Sequence, residues 1–167
     1  LLSLGYEDFG SNRIEIVVHD KVSNNALYQP DNTRPMIKVG KGDGELLANL
    51  STDADVVSHE LGHHVVYNSI TRISGESLVL HEGLADFFTF ARTGNACLGE
   101  SICPATSDFC YVANQCLRTG ENDLALGAAD LPSEPHLKSQ FISGFLWDFI
   151  SKDKVPANVW AALVLKS

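Results

Sequence analysis

Ser51-Thr52-Asp53-Ala54-Asp55-Val56-Val57-Ser58-His59-Glu60-Leu61-Gly62-His63-His64-Val65-Val66-Tyr67-Asn68 is the segment from which the rest of the chain can be read. Ala54, Val57, Leu61 and Val65 recur at steps of three and four, the spacing of an amphipathic helix. Ser51 and Thr52 are good residues to cap its start, and the pattern runs out near Asn68. Within it, His59-Glu60-Leu61-Gly62-His63 fits H-E-x-x-H. Residues i and i+4 of a helix lie on one face, so both imidazoles can reach one metal ion. Glu60 stands about 100° further round the helix, where it can address a water beside the metal rather than the metal itself.

A catalytic zinc takes three protein ligands and leaves one position open. Eighteen residues (64–81) separate His63 from Glu82, in His81-Glu82-Gly83-Leu84-Ala85-Asp86. This lies on a second expected helix, which follows Gly75, buries Leu80, Leu84, Phe87, Phe88 and Ala91, and stops at Gly94. Packed antiparallel to the first helix, it would offer Glu82 as third ligand. Asp86, one turn on, would accept the ring N–H of a ligating histidine. The plainer reading of Glu82 and Asp86 is a solvated acidic face, which the apolar Leu80, Leu84 and Phe88 beside them oppose. His64 reads as structural, and His81 as a helix-surface or hydrogen-bonding residue.

Upstream, Arg13-Ile14-Glu15-Ile16-Val17-Val18-His19 is β-branched and alternating, hence a strand. Asn24 to Tyr28 and Met36 to Val39 form two more, joined through the turn residues Pro30 to Pro35. The glycine-rich Gly40 to Gly44 lacks the G-x-x-x-x-G-K-[ST] phosphate loop. Asp43 and Glu45 are candidate calcium ligands, although oxygen ligands are few there and a plain turn is the simpler reading. Downstream, Ser133 can cap a third helix running from Pro135 to Ile150, with Phe141, Phe145 and Phe149 as its buried stripe. A short last helix follows Pro156, from Ala157 to Leu165. Strands first and helices after argue an α+β fold: a mixed N-terminal sheet on the metal-binding helix, then a small helical lobe. The expected organisation is one catalytic domain, 1–167, with sub-lobes 1–68 and 69–167.

Cys97, Cys103, Cys110 and Cys116 fall in a loop-like region, 94–132, at spacings unlike a zinc ribbon. They read as two disulfides of a secreted or periplasmic protein, against four reduced thiols in a cytosolic one. Four cysteines permit three connectivities; the local pairing Cys97–Cys103 and Cys110–Cys116 is the expectation. The formal charge, 12 − 21 = −9, disfavours nucleic acid or an anionic membrane as partner. No apolar run is long enough to span a bilayer. The opening Leu1-Leu2-Ser3-Leu4 reads like the tail of a helix, suggesting a piece of a longer precursor with a pro-region or neighbouring domains.

H-E-x-x-H followed by E-G-x-x-D resembles the gluzincin metallopeptidases, the group of thermolysin and the fungalysins. Asn25-Ala26-Leu27-Tyr28, Met36 to Gly44, and Asp55-Val56-Val57-Ser58 before His59 follow the thermolysin order of elements. The resemblance implies that Asn25 and Ala26 lie on an edge strand and bind the substrate backbone. Glu134-Pro135-His136 through Ser143-Gly144-Phe145-Leu146-Trp147-Asp148 is similar to the fungalysin pattern around a second active-site histidine, which implies that role for His136. It also implies a substrate-carbonyl contact for Arg118, otherwise a solvated arginine. Two departures stand out. The gap to the third ligand is one shorter than in thermolysin, and Ile73 occupies the position of an active-site tyrosine.

The implied activity is zinc-dependent endopeptidase hydrolysis of peptides or proteins. His59, His63 and Glu82 would hold one Zn2+, Glu60 would act as general base, and His136 would stabilise the oxyanion. The rivals are a zinc aminopeptidase, which needs an acidic anchor for the substrate amine, and a non-catalytic binding module on the same scaffold.

Overall fold

A computed structural model describes residues 13–21, 23–110, 115–152 and 154–166. The reading of Leu1 to Leu4 as a helix tail lies outside them. Three strands open the chain, β1 (Glu15–Asp20), β2 (Ala26–Gln29) and β3 (Met36–Gly40). They form a mixed sheet in the order β1-β3-β2, with β1 parallel and β2 antiparallel to β3. The central β3 alternates, sending Ile37 and Val39 wholly out of water. These two meet Leu47, Leu50, Val56 and Ile102 in the core between the sheet and α1 (Ala54–Tyr67). At β1 the register slips between Val18 and Asp20, where His19 takes a left-handed φ of 55°.

Helix α1 begins one residue later than Ser51 and Thr52 suggest. Those two sit in a 3-10 turn, and Asp53 caps the helix, its side chain accepting from the Asp55 N–H at 2.7 Å. The expected apolar stripe is not its most buried face: Ala54 is exposed, while Val57 and Leu61 are only partly covered. The helix is sandwiched between the sheet and α2 (Glu76–Thr93), so polar His59, Glu60, His63 and His64 are buried instead. Helix α2 ends as expected, with Gly94 left-handed (φ 70°) and donating to the Phe90 carbonyl at 2.8 Å. Phe87 and Phe90 on α2 are fully buried, each adding roughly 1.5–3 kcal/mol of apolar stabilisation.

The expected third helix is two, α3 (Pro135–Lys138) and α4 (Gln140–Ser151), with Glu134 rather than Ser133 capping the first. The junction is Ser139, wholly buried, whose hydroxyl donates to the His136 carbonyl at 2.7 Å. The face of α4 that packs inward is Gln140, Ser143, Gly144 and Trp147. Phe145 is 63% exposed and Phe141 and Phe149 only partly covered, which overturns the expected aromatic stripe. Trp147 takes the inward ring position against Phe90 of α2, and at Gly83 the two helices come close, a Cβ there lying 2.7 Å from the Ile142 Cβ. Helix α5 (Ala157–Lys166) closes the described chain against α2.

The cysteine region also carries a two-strand ladder, β4 (Cys97–Leu98) with β5 (Arg118–Thr119). Both expected disulfides exist, but their pairing is nested, Cys97–Cys116 around Cys103–Cys110. The ladder explains the correction. The pairing of β4 with β5 closes this region on itself, with Cys97 and Cys116 at a Cα separation of 5.4 Å, and the turn at 104–107 returns Cys110 to Cys103.

Candidate metal centre

Helices α1 and α2 touch at Gly62, where a Cβ would lie 2.8 Å from the Ala85 Cα. That approach lets one carboxylate on α2 reach two imidazoles on α1. Glu82 Oε2 is 3.1 Å from His59 Nε2, and Glu82 Oε1 is 3.4 Å from His63 Nε2. One ligand atom from each of the three residues lies within 4.8 Å of the others, and all three side chains are buried. His59 turns its other nitrogen, Nδ1, to Asp86 Oδ1 at 2.7 Å.

Asp86 is fully buried, and Arg118 answers its charge with a fork, Nε to Oδ2 at 2.7 Å and Nη2 to Oδ1 at 2.8 Å. Arg118 is largely covered rather than solvated, and stands on β5 with Nη2 3.8 Å from Glu82. His136 enters from α3, its Nε2 3.4 Å from Glu82 Oε1 and its Nδ1 2.6 Å from Glu134 Oε1. Glu60 lines the same cleft with Oε2 buried and without a hydrogen-bond partner among the described residues. Thus α1, α2, α3 and β5 together bring His59, Glu60, His63, Glu82, Asp86, Arg118 and His136 to one place.

The electrostatics invite positive charge where the ligand atoms converge. Burial alone pulls the His59 pKa down, but the Asp86 and Glu82 carboxylates outweigh it and push it up to about 10. Burial raises Glu82, yet the His59 and His63 imidazoles beside it hold it well below the usual carboxylate range. Glu82 Oε2 nonetheless accepts no hydrogen bond among the described residues, an acceptor buried beside an imidazole nitrogen. A divalent cation would satisfy it. Two imidazoles and a carboxylate are a donor set that suits zinc.

Burial raises Glu60 to about 7, with the Glu82 charge adding and the His59, Arg118 and His136 charges opposing. The centre opens on a cleft of about 880 Å³ whose other wall includes Asn25, Ala26 and Tyr28. Among the described residues β2 pairs with β3 alone, so its outer edge is unpaired. Asn25 itself accepts the Gly40 N–H at 3.0 Å. Ile73 also lines the cleft.

The catalytic-domain family of the thermolysin metallopeptidases matches residues 4–67. Over that stretch the chain is similar to the thermolysin-like gluzincins. The matched part carries the sheet and all of α1, including His59, Glu60 and His63. It supports a metallopeptidase that acts on peptides or proteins. Glu82, Asp86, Arg118 and His136 lie beyond the match and rest on geometry. No curated protein matches the chain significantly.

Two residues of this centre carry no role in the sequence reading. Gly62 hides inside the motif as an unspecified position, and only the helix crossing reveals its use. Glu134 is legible as a neighbour of His136 but not as its hydrogen-bond partner. Of the two readings of His81, the hydrogen-bonding one holds and the surface one does not: it is fully buried, with Nε2 2.8 Å from the Ile70 carbonyl. His64 is structural as expected, buried with Nδ1 2.9 Å from the Tyr28 hydroxyl. Asp43 makes a plain turn, one oxygen taking the Glu45 and Leu46 N–H groups and the other the Asn24 amide.

Proposed function

We propose that the chain is the catalytic domain of a zinc endopeptidase, secreted or periplasmic, with sub-lobes 1–68 and 69–167 meeting at the cleft. The observation that carries this is the convergence of His59, His63 and Glu82 beside a buried, unpartnered Glu60 carboxylate. His59, His63 and Glu82 would hold the ion. When bound, zinc supplies Lewis acidity to the scissile carbonyl and to the attacking water.

The chain's own residues do the rest. Glu60 Oε2 has no competing donor and takes the proton of the attacking water, then hands it to the leaving amine. Asp86 keeps the His59 proton on Nδ1 and so leaves Nε2 bare. His136, at the cleft rim, donates from Nε2 to the developing oxyanion, while Glu134 holds its Nδ1. The unpaired edge of β2 takes the substrate backbone in extended form, with Asn25 and Ala26 alongside. Arg118 contacts a substrate carbonyl while its fork holds Asp86. Two disulfides fit an oxidising compartment.

Replacing Glu60 by Gln tests the reading. The variant keeps one zinc per chain by elemental analysis and loses nearly all cleavage of a casein or internally quenched peptide substrate. Full activity in that variant removes the general base and, with it, this mechanism.

A further inference from the structure

His81 precedes Glu82 on α2, is fully buried, and belongs to none of the roles above. Its Nε2 lies 2.8 Å from the Ile70 carbonyl in the connection between α1 and α2. A carbonyl only accepts, so Nε2 carries the hydrogen, and in the neutral ring Nδ1 is a bare acceptor. That Nδ1 is buried with no hydrogen-bond partner among the described residues. His63 is in the complementary position. Its Nε2 faces Glu82, and its Nδ1 is likewise buried and unpartnered. The two rings are neighbours, 5.9 Å between centroids and tilted by 34°.

Two orphaned nitrogens on neighbouring rings are costly unless one gives and the other takes. His81 can only take. We infer that His81 is the positioning residue of His63: its Nδ1 accepts the His63 Nδ1–H, directly or through one buried water. The proton is thereby fixed on Nδ1 and Nε2 is kept bare for the metal.

The two histidines of H-E-x-x-H are then oriented by different chemistry. His59 leans on a carboxylate whose charge Arg118 balances, and His63 leans on a neutral imidazole anchored to a backbone carbonyl. A second carboxylate at position 81 would bring a negative charge with no second arginine to meet it among the residues named here.

This inference rests on the reading of the centre as a zinc site, and the experiment separates the two. Zinc affinity is measured on the purified chain by competition with a fluorescent chelator. His81→Phe, which keeps an aromatic ring but no acceptor, should weaken zinc binding about 10–100-fold. His81→Asn restores an acceptor near the position of Nδ1 and should recover most of the loss. Wild-type affinity in His81→Phe, or equal weakness in both variants, overturns the role of His81. No zinc binding by the wild type overturns the metal centre itself. Should the phenylalanine variant fail to fold, the wild-type tautomers decide. Long-range proton–nitrogen correlation spectra should show His81 protonated on Nε2 and His63 on Nδ1, and the opposite tautomer at either ring overturns the inference.

Discussion

Asp86 and His136 illustrate two ways a single side chain can serve one centre. Asp86 is sealed, and its charge is tolerable only because Arg118 and His59 both bond to it. His136 is half open to the cleft, so it can change partners when a ligand arrives. Replacing His136 by Ala should leave zinc content and melting temperature near wild type and lower kcat by about 10²–10³. Unchanged kcat would mean that the oxyanion is met by other groups. At this scale the sequence was generous with residue types and poor in directions. H-E-x-x-H and Glu82 were legible because a ligand set has a spacing. The fork of Arg118 and the burial of His81 were not, because they depend on β5 and on the 68–75 connection, whose paths no local pattern encodes.

Between elements, the crossing of α1 and α2 governs the centre's dimensions. Gly62→Ala gains up to about 1 kcal/mol of helix propensity but meets the Ala85 backbone, an overpacking worth about 1–3 kcal/mol. The helices must part, so zinc affinity should fall, and Ala85→Gly in the same chain should leave it low, because the Ala85 Cα and carbonyl stay in the way. Equal affinity in all three proteins would show that the crossing does not set the site.

Tyr28 ties β2 to α1 through His64. Burial and the nearby Tyr67 push its phenol up to about 12, against an ordinary value of 10.0. The folded state therefore holds this proton more tightly than the unfolded chain does. Its contribution is complete below about pH 10 and is lost as pH rises through about 12. Tyr28→Phe should flatten the fall in stability across that window, followed by denaturant titration at each pH. The elements themselves were largely readable. Periodicity located both long helices and three strands, and Gly94 ended α2. What failed was the choice of faces: Ala54 and Phe145 belong to stripes that periodicity favours and neighbouring elements reject. An amphipathic count assumes one wet side, whereas α1 has the sheet on one flank and α2 on the other.

Across the whole molecule, the proposed ligands come from the two central helices, so loading the centre would join the part matched to thermolysin-like peptidases with the part beyond it. Zinc should thus act as a folding ligand. At a hundred times its Kd it adds about 2.7 kcal/mol, or roughly 5–10 °C in Tm for a chain of this size. Scanning calorimetry with and without a chelator measures the shift, and His59→Ala should abolish it. The α+β class was visible in the order of strands and helices. The nested disulfides were not, since pairing follows from a two-residue ladder too short to leave a pattern.

That nesting bears on how such a molecule survives its own kind. Pro104 to Phe109 includes exposed residues between two joined cysteines, with a second bridge outside it. A peptidase at high concentration attacks its own loops first. A cut between Cys103 and Cys110 would free no fragment, because both new ends stay bound through the inner bridge. A cut between 97 and 103 or between 110 and 116 would still leave the outer bridge holding the chain together. Self-digestion in this region would nick the protein without dismantling it, and β5, with Arg118, would remain tethered to the rest.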